Sequence, residues 1–221
     1  MKWIKNNWGW LLVVVLALIP LIIIFNEVFS FNLFGDGSWI SMKSITITDR
    51  RTGAPRIISG AHIGVKITGE WAIRWLVAVL SLTPVAILTG KKAGLYVRQA
   101  AGIAAFIYAI LHFVLFCVDR GLMDTFKETG FVLGLISTII MLVLTITSNR
   151  RSMKLLRKFW KKMHKFAYLA AILAVLHVAL LNHGDWIPYL AILIIGFAVR
   201  MPVIKNLRNK EKTPVPLYVK H

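Results

Sequence analysis

The sequence predicts an all-α integral membrane protein with six transmembrane helices, on three observations. Hydrophobic residues make up 57% of the 221, and the mean hydropathy of +0.70 is far above the soluble norm. Six apolar runs, at about 8–25, 71–89, 100–118, 130–148, 166–182 and 186–202, are each long enough to cross a bilayer as a helix. The cations behind the net charge of +18 cluster in connections between these runs. That is the orientation signal of a membrane protein and not a groove-binding face, so the charge does not point to nucleic acid.

The first run follows Met1-Lys2-Trp3-Ile4-Lys5, a basic lead like that of a signal peptide. It is long and no small-x-small cleavage site follows, so residues 1–25 read as a signal-anchor helix. Residues 26–68 form an extracytoplasmic loop. Within it, Ser44-Ile-Thr-Ile-Thr48 and Ala54-Pro-Arg-Ile-Ile-Ser59 flank a Gly53-containing turn, the pattern of a short β-hairpin. This loop is either a solvated cover over the helices or a docking surface for a partner outside the membrane. The other five runs make a helical domain over 69–204, followed by a basic tail at 205–221. Lys91, Lys92 and Arg98 separate the second and third runs, and eight cations from Arg150 to Lys165 separate the fourth and fifth. Asp119, Asp124, Glu128 and Asp185 fall in the opposite connections. These signals place both termini and the basic loops in the cytoplasm.

Several chemistries are absent from the pattern. The single cysteine, Cys117, rules out a disulfide framework and reads as a small buried hydrophobe. There is no CxxCH for thioether-linked haem, no Walker motif and no GxGxxG between a strand and a helix. No internal repeat stands out. Gly130 and Gly134, four residues apart, read as ordinary close helix packing.

The residues that invite a chemical reading are His112, His164 and His177, in or beside apolar runs. An imidazole in a bilayer is costly unless something binds it, and neutral imidazole ligates haem iron well. The third and fifth runs both begin at a basic edge, so they run parallel. His112 lies fourteen residues beyond Arg98 and His177 twelve beyond Lys165, depths of roughly 21 and 18 Å. Two imidazoles at matching depth on separate helices can sandwich a haem iron. They can equally be packed groups bonded to a hydroxyl or carbonyl on a neighbouring helix. His164 sits about 20 Å below His177 at the membrane edge and cannot share an iron with it. His62, His183 and His221 read as solvated loop or tail residues.

An ordered set of short pieces resembles a known family. They are Thr68-Gly-Glu-Trp-Ala72 leading to Leu82-Thr-Pro84, then Arg98…Gly102…Ala105-Phe-Ile-Tyr108…Leu111-His112, then Thr147-Ser148, and Trp160…Met163-His164-Lys-Phe-Ala-Tyr168…Leu176-His177. From about Thr68 to Pro202 the chain resembles the ferric reductase-like transmembrane domain. Within that family it is similar to the haem-binding membrane subunits of periplasmic methionine sulfoxide reductase systems. The resemblance implies a b-type cytochrome of the bacterial inner membrane. It would take electrons from a cytoplasmic flavin reductase or quinol and pass them to a periplasmic molybdopterin reductase. It implies one haem b, with room for a second, and FMN or a quinone as a further carrier. His112 and His177 would be axial ligands of an outer-half haem, and His164 would serve a second haem or the point where electrons arrive. Arg98 would meet a haem propionate or anionic lipid. Two features depart from the family. Larger relatives hold two haems with two histidines on each of two helices, and here Arg98 stands where the fourth histidine is expected. The loop at 26–68 is also long. The rival readings are a stand-alone ferric or quinol-linked reductase with another acceptor, and a non-redox scaffold or transporter.

Overall fold

The computed structural model describes residues 2–31, 40–48, 53–91, 93–181 and 186–201. The turn at 49–52, His183, Asp185 and the tail at 205–221 lie outside the described residues. Helix α1 (Lys2–Val28) leads into strand β1 (Phe29–Phe31), which pairs antiparallel with β2 (Ile40–Met42). Strands β3 (Ser44–Thr48) and β4 (Pro55–Ser59) form the expected hairpin, with Ser44 opposite Ser59 and Thr48 opposite Pro55. The β1–β2 pair has no counterpart in the sequence pattern, because strands of three residues are too short to show an alternation.

Helix α2 (Gly60–Thr89) starts well before the apolar run expected at 71, so the loop closes at Ser59 and not at 68. Lys66, Thr68 and Glu70 interrupt the hydropathy there, but the first turn is well capped. The Ser59 hydroxyl accepts the His62 N–H at 3.1 Å. Gly60 donates its N–H to the Lys43 carbonyl at 2.6 Å, and a side chain there would collide with the Val28 carbonyl. The strands are thus stitched between α1 and α2. Helix α2 ends at Gly90, whose left-handed backbone (φ 78°) lets its N–H reach the Ala86 carbonyl.

The chain continues through α3 (Leu95–Arg120), a 3₁₀ turn (Leu122–Phe126), α4 (Thr129–Ile146), α5 (Arg150–Met163), α6 (Phe166–Leu180) and α7 (Trp186–Arg200). Four helices, α1 to α4, are long and apolar enough to cross a membrane, and five spans result if the α5–α6 pair, bent by 49°, counts as one. Helix α7 is apolar but has 15 residues, about 22 Å of helix against a hydrocarbon core of about 30 Å. The molecule is a multi-pass, all-α integral membrane protein with small strands at one end.

Helix α5 is different in kind. It is kinked at Arg157 (φ 46°, ψ −116°); Met153 and Leu156 before the kink and Trp160 and Met163 after it are half-buried, while its cations are exposed. That is the pattern of a helix lying along a membrane surface. The Trp160 indole donates to the Thr147 carbonyl at 2.9 Å and ties α5 to the end of α4. Inside the bundle α2 packs along α3, α4 along α6, and α7 against α2. The shared core includes Ile73, Leu76, Ala105, Ala170, Val175 and Leu193. Ala105 and Ala170 are fully buried. In lipid, where apolar surface gives little drive to associate, such small residues let helix backbones approach. Lys91, Arg98, helix α5 and Arg200 gather at one end of the bundle, the basic end; the strands and Asp119 lie at the other, the far end.

Candidate functional site

His112 on α3 and His177 on α6 face each other with ring centroids 6.1 Å apart and planes at 84°. Each ring is held from behind. His112 Nδ1–H donates to the Val65 carbonyl of α2 at 2.8 Å, and His177 Nδ1–H donates to the Gly130 carbonyl of α4 at 2.8 Å. A carbonyl only accepts, so the bond itself assigns the proton to Nδ1 and leaves the neutral ring's lone pair on Nε2, the nitrogen a metal would take. Phe116, one turn beyond His112, and Phe131, next to Gly130, pack with centroids 4.8 Å apart and ring planes tilted by 54°. Among the described residues no group of three His, Cys, Asp or Glu side chains converges.

His164 is not brought to this pair. It occupies the break between α5 and α6, stacked on Trp160 with centroids 3.9 Å apart. Its Nδ1–H donates to the Trp160 carbonyl at 3.1 Å, and its Nε2 meets the Ser148 hydroxyl at 3.3 Å. Burial lowers its pKa below the ordinary histidine value. Ligation of a metal through Nε2 would require the Ser148 contact to open.

Arg98, in the first turn of α3, reaches Thr83 of α2, and Arg200 of α7 donates to the Leu80 carbonyl at 2.6 Å. The Arg200 guanidinium also lies 4.9 Å over the Tyr168 ring. The Nε atoms of both arginines are buried without a hydrogen-bond partner in the structure. Two guanidiniums therefore converge between α2, α3, α6 and α7 at the basic end. Arg98 is fourteen residues below His112, roughly 21 Å, so it serves that end and not the histidine pair.

His62 is not the solvated loop residue expected from sequence. It lies in the first turn of α2, with its Nδ1 2.9 Å from Asp119 Oδ2, while the Ser59 hydroxyl donates to Asp119 Oδ1 at 2.9 Å. With Arg56 and Arg120 these groups line a cleft of about 360 Å³ at the far end. Sequence reasoning also misses the two carbonyl acceptors, Gly69 and Arg200, and assigns Gly130 and Gly134 to packing alone.

The fold and these placements meet a family pattern. Residues 68–175 match the family model described as ferric reductase like transmembrane component. A protein-methionine-sulfoxide reductase heme-binding subunit MsrQ from Agrobacterium fabrum is 34% identical over 162 residues, covering 67% of this chain and 75% of that protein. The chain belongs to the MsrQ-type ferric reductase-like family. Heme-binding subunits MsrQ of Brucella anthropi and Brucella ovis are 36% and 35% identical over 116 and 127 residues. Those matches cover 49% and 54% of this chain and 52% and 57% of the relatives. No solved structure matches significantly. The family match includes α3 with His112, and it stops two residues short of His177.

Proposed function

We propose that this chain is the haem-binding, electron-carrying membrane subunit of a protein-methionine-sulfoxide reductase system, with His112 and His177 as axial ligands of one haem b. The observation that carries the reading is the facing pair of imidazoles, each with its proton committed to a backbone carbonyl. With ring centroids 6.1 Å apart, His112 and His177 are near enough that both would hold one haem iron. Two protein ligands are also the number that a porphyrin leaves to the protein in bis-histidine ligation, so the residues fit the group. The absence of CxxCH rules out a thioether-linked haem, which fits a non-covalent haem b.

A haem in this position supplies one-electron chemistry. The chain's own residues do the rest. Val65 and Gly130 hold the Nδ1 protons and thereby keep both rings neutral and aimed. Phe116 and Phe131 cover the far-end side and keep water out. At the basic end Arg98, Arg200 and α5 would attract an anionic carrier such as the FMN of a cytoplasmic flavin reductase, whereas a quinol, being uncharged, would reach this end through the lipid. His164, at the basic end itself and about 20 Å from the pair, would serve a second carrier there. The positive-inside bias supports a bacterial inner-membrane location with the basic end and both termini in the cytoplasm. The far end then meets the periplasmic acceptor, a molybdopterin catalytic subunit.

A reduced-minus-oxidised absorption spectrum of the purified protein, with haem quantified per polypeptide, tests this reading. A b-type band at one haem per chain is the expected result. Absence of any haem band overturns it and leaves the histidines as packing groups.

A further inference from the structure

The two histidine anchors have the same construction. In each, the acceptor carbonyl lies 47 residues before the histidine, and a glycine follows the acceptor by four: Val65, Gly69 and His112; Gly130, Gly134 and His177. A helical carbonyl already accepts the N–H four residues on, and that of Val65 also takes the Thr68 hydroxyl at 3.2 Å, so the imidazole must approach past the side chain of the residue four on. A Cβ on Gly69 would stand 2.9 Å from His112 Nδ1, and one on Gly134 would stand 2.7 Å from His177 Nδ1. The missing side chain is what opens the carbonyl to the ring.

Every member of one set is 65 positions from its counterpart in the other. The same offset aligns Ala105-Phe-Ile-Tyr-Ala-Ile-Leu-His112-Phe-Val-Leu115 with Ala170-Ala-Ile-Leu-Ala-Val-Leu-His177-Val-Ala-Leu180. Ala, Ile, Ala, Leu, His and Leu recur in register, and both leading alanines are fully buried. Helices α2 and α4 run in the same sense toward the basic end, while α3 and α6 run back. The α2–α3 and α4–α6 pairs thus run in matching senses and carry the same carbonyl, glycine and histidine spacing where they meet at the two rings.

We propose that Gly69 and Gly134 are positioning residues of the histidine pair, one notch occurring in each of the two helix pairs. Each admits an imidazole to the carbonyl one turn back, and so sets the tautomer and the aim of Nε2. The spectroscopic half of the test rests on the haem reading above, whereas the tautomer half does not.

The experiment uses the full-length chain in lipid nanodiscs, with ¹⁵N-labelled histidine in the haem-free protein and absorption and EPR spectra of the haem-loaded protein. In haem-free wild type, His112 and His177 should both carry the proton on Nδ1. Gly69→Ala should disturb the His112 signal and leave His177 in place, and Gly134→Ala should do the reverse. On loading, both variants should retain haem about 10–100-fold more weakly, the range for losing an outer partner of a metal ligand, and lose the low-spin EPR signature. Gly64→Ala is the control for strain, because its Cβ would meet Leu115 at 2.7 Å and Val28 at 2.8 Å without touching a histidine. Gly102→Ala is the open-space control. Both controls should keep wild-type tautomers and spectra. Should one notch variant fail to accumulate, the other asks the same question. An Nε2-protonated ring in haem-free wild type, or notch variants indistinguishable from Gly102→Ala, would overturn the proposal. So would the same loss in Gly64→Ala. A wild-type chain that binds no haem yet shows the tautomer pattern and its response sinks the haem reading and leaves the notches standing.

Discussion

The α2–α3 pair and the α4–α6 pair build the same half-site around the histidines and then part company toward the basic end. In the first, α2 passes into α3 through the short segment that begins at Gly90; in the second, the amphipathic α5 is inserted between the two helices. The 65-residue offset pairs His164 with Gln99, whose amide contacts the Met153 sulfur, and pairs Arg98 with Met163. One pair therefore has an arginine and an amide at its basic end, and the other has a histidine stacked on tryptophan. The part common to both pairs is the part that holds the two rings, and the part that differs is the basic end.

That comparison can be broken most directly at the histidines. His112→Ala and His177→Ala should each abolish the b-type absorption band, because neither half-site holds the iron in a bis-histidine arrangement alone. Full haem content in either variant would show the halves to be unequal. His164→Ala should leave most of the band, since its ring is not part of the pair, while slowing reduction by a cytoplasmic-side donor in stopped-flow measurements. A complete loss of haem in this variant would move the site to the basic end.

Smaller effects sharpen the difference between the pairs. Tyr108, fully buried on α3, donates its hydroxyl to the Ala17 carbonyl at 2.5 Å and holds α1 against the first pair, whereas its counterpart on α6 is Leu173. Tyr108→Phe should cost about 1 kcal/mol of stability in thermal or denaturant unfolding, with haem content unchanged. In the second pair Ser137 donates to the Ala170 carbonyl at 2.8 Å across α4 and α6, where the first pair has Ala72 and Ala105. Ser137→Ala should cost about 0.6 kcal/mol, the usual size of a hydrogen bond between membrane helices, and lower the melting temperature by about 1–2 °C.

Much of the site is open to sequence reasoning because helix rise converts residue number into depth. Counting from Arg98 and Lys165 puts His112 and His177 at matching levels, and the fold brings those two rings together. The same arithmetic separates His164. The hairpin at 44–59 is visible because Thr and Ile alternate there. The correspondence between the two pairs is hidden because its identities are Ala, Ile and Leu, which any membrane helix is rich in; only the shared carbonyl, glycine and histidine triplet makes the offset meaningful. The start of α2 and the His62–Asp119 contact are hidden for a related reason. A capped polar turn carries no hydropathy signal, and a pair 57 residues apart has no local pattern.

By itself the sequence determined that the chain crosses the membrane several times, which end is basic and how deep each histidine lies, since these follow from local hydropathy, charge and a fixed rise per residue. Only the tertiary structure decided how each helix is rotated about its own axis. Rotation is set by side chains of other helices, and it brings the Val65 and Gly130 carbonyls behind the rings, sets Gly69 and Gly134 against the two imidazoles, and makes two ordinary intramembrane histidines into a facing pair.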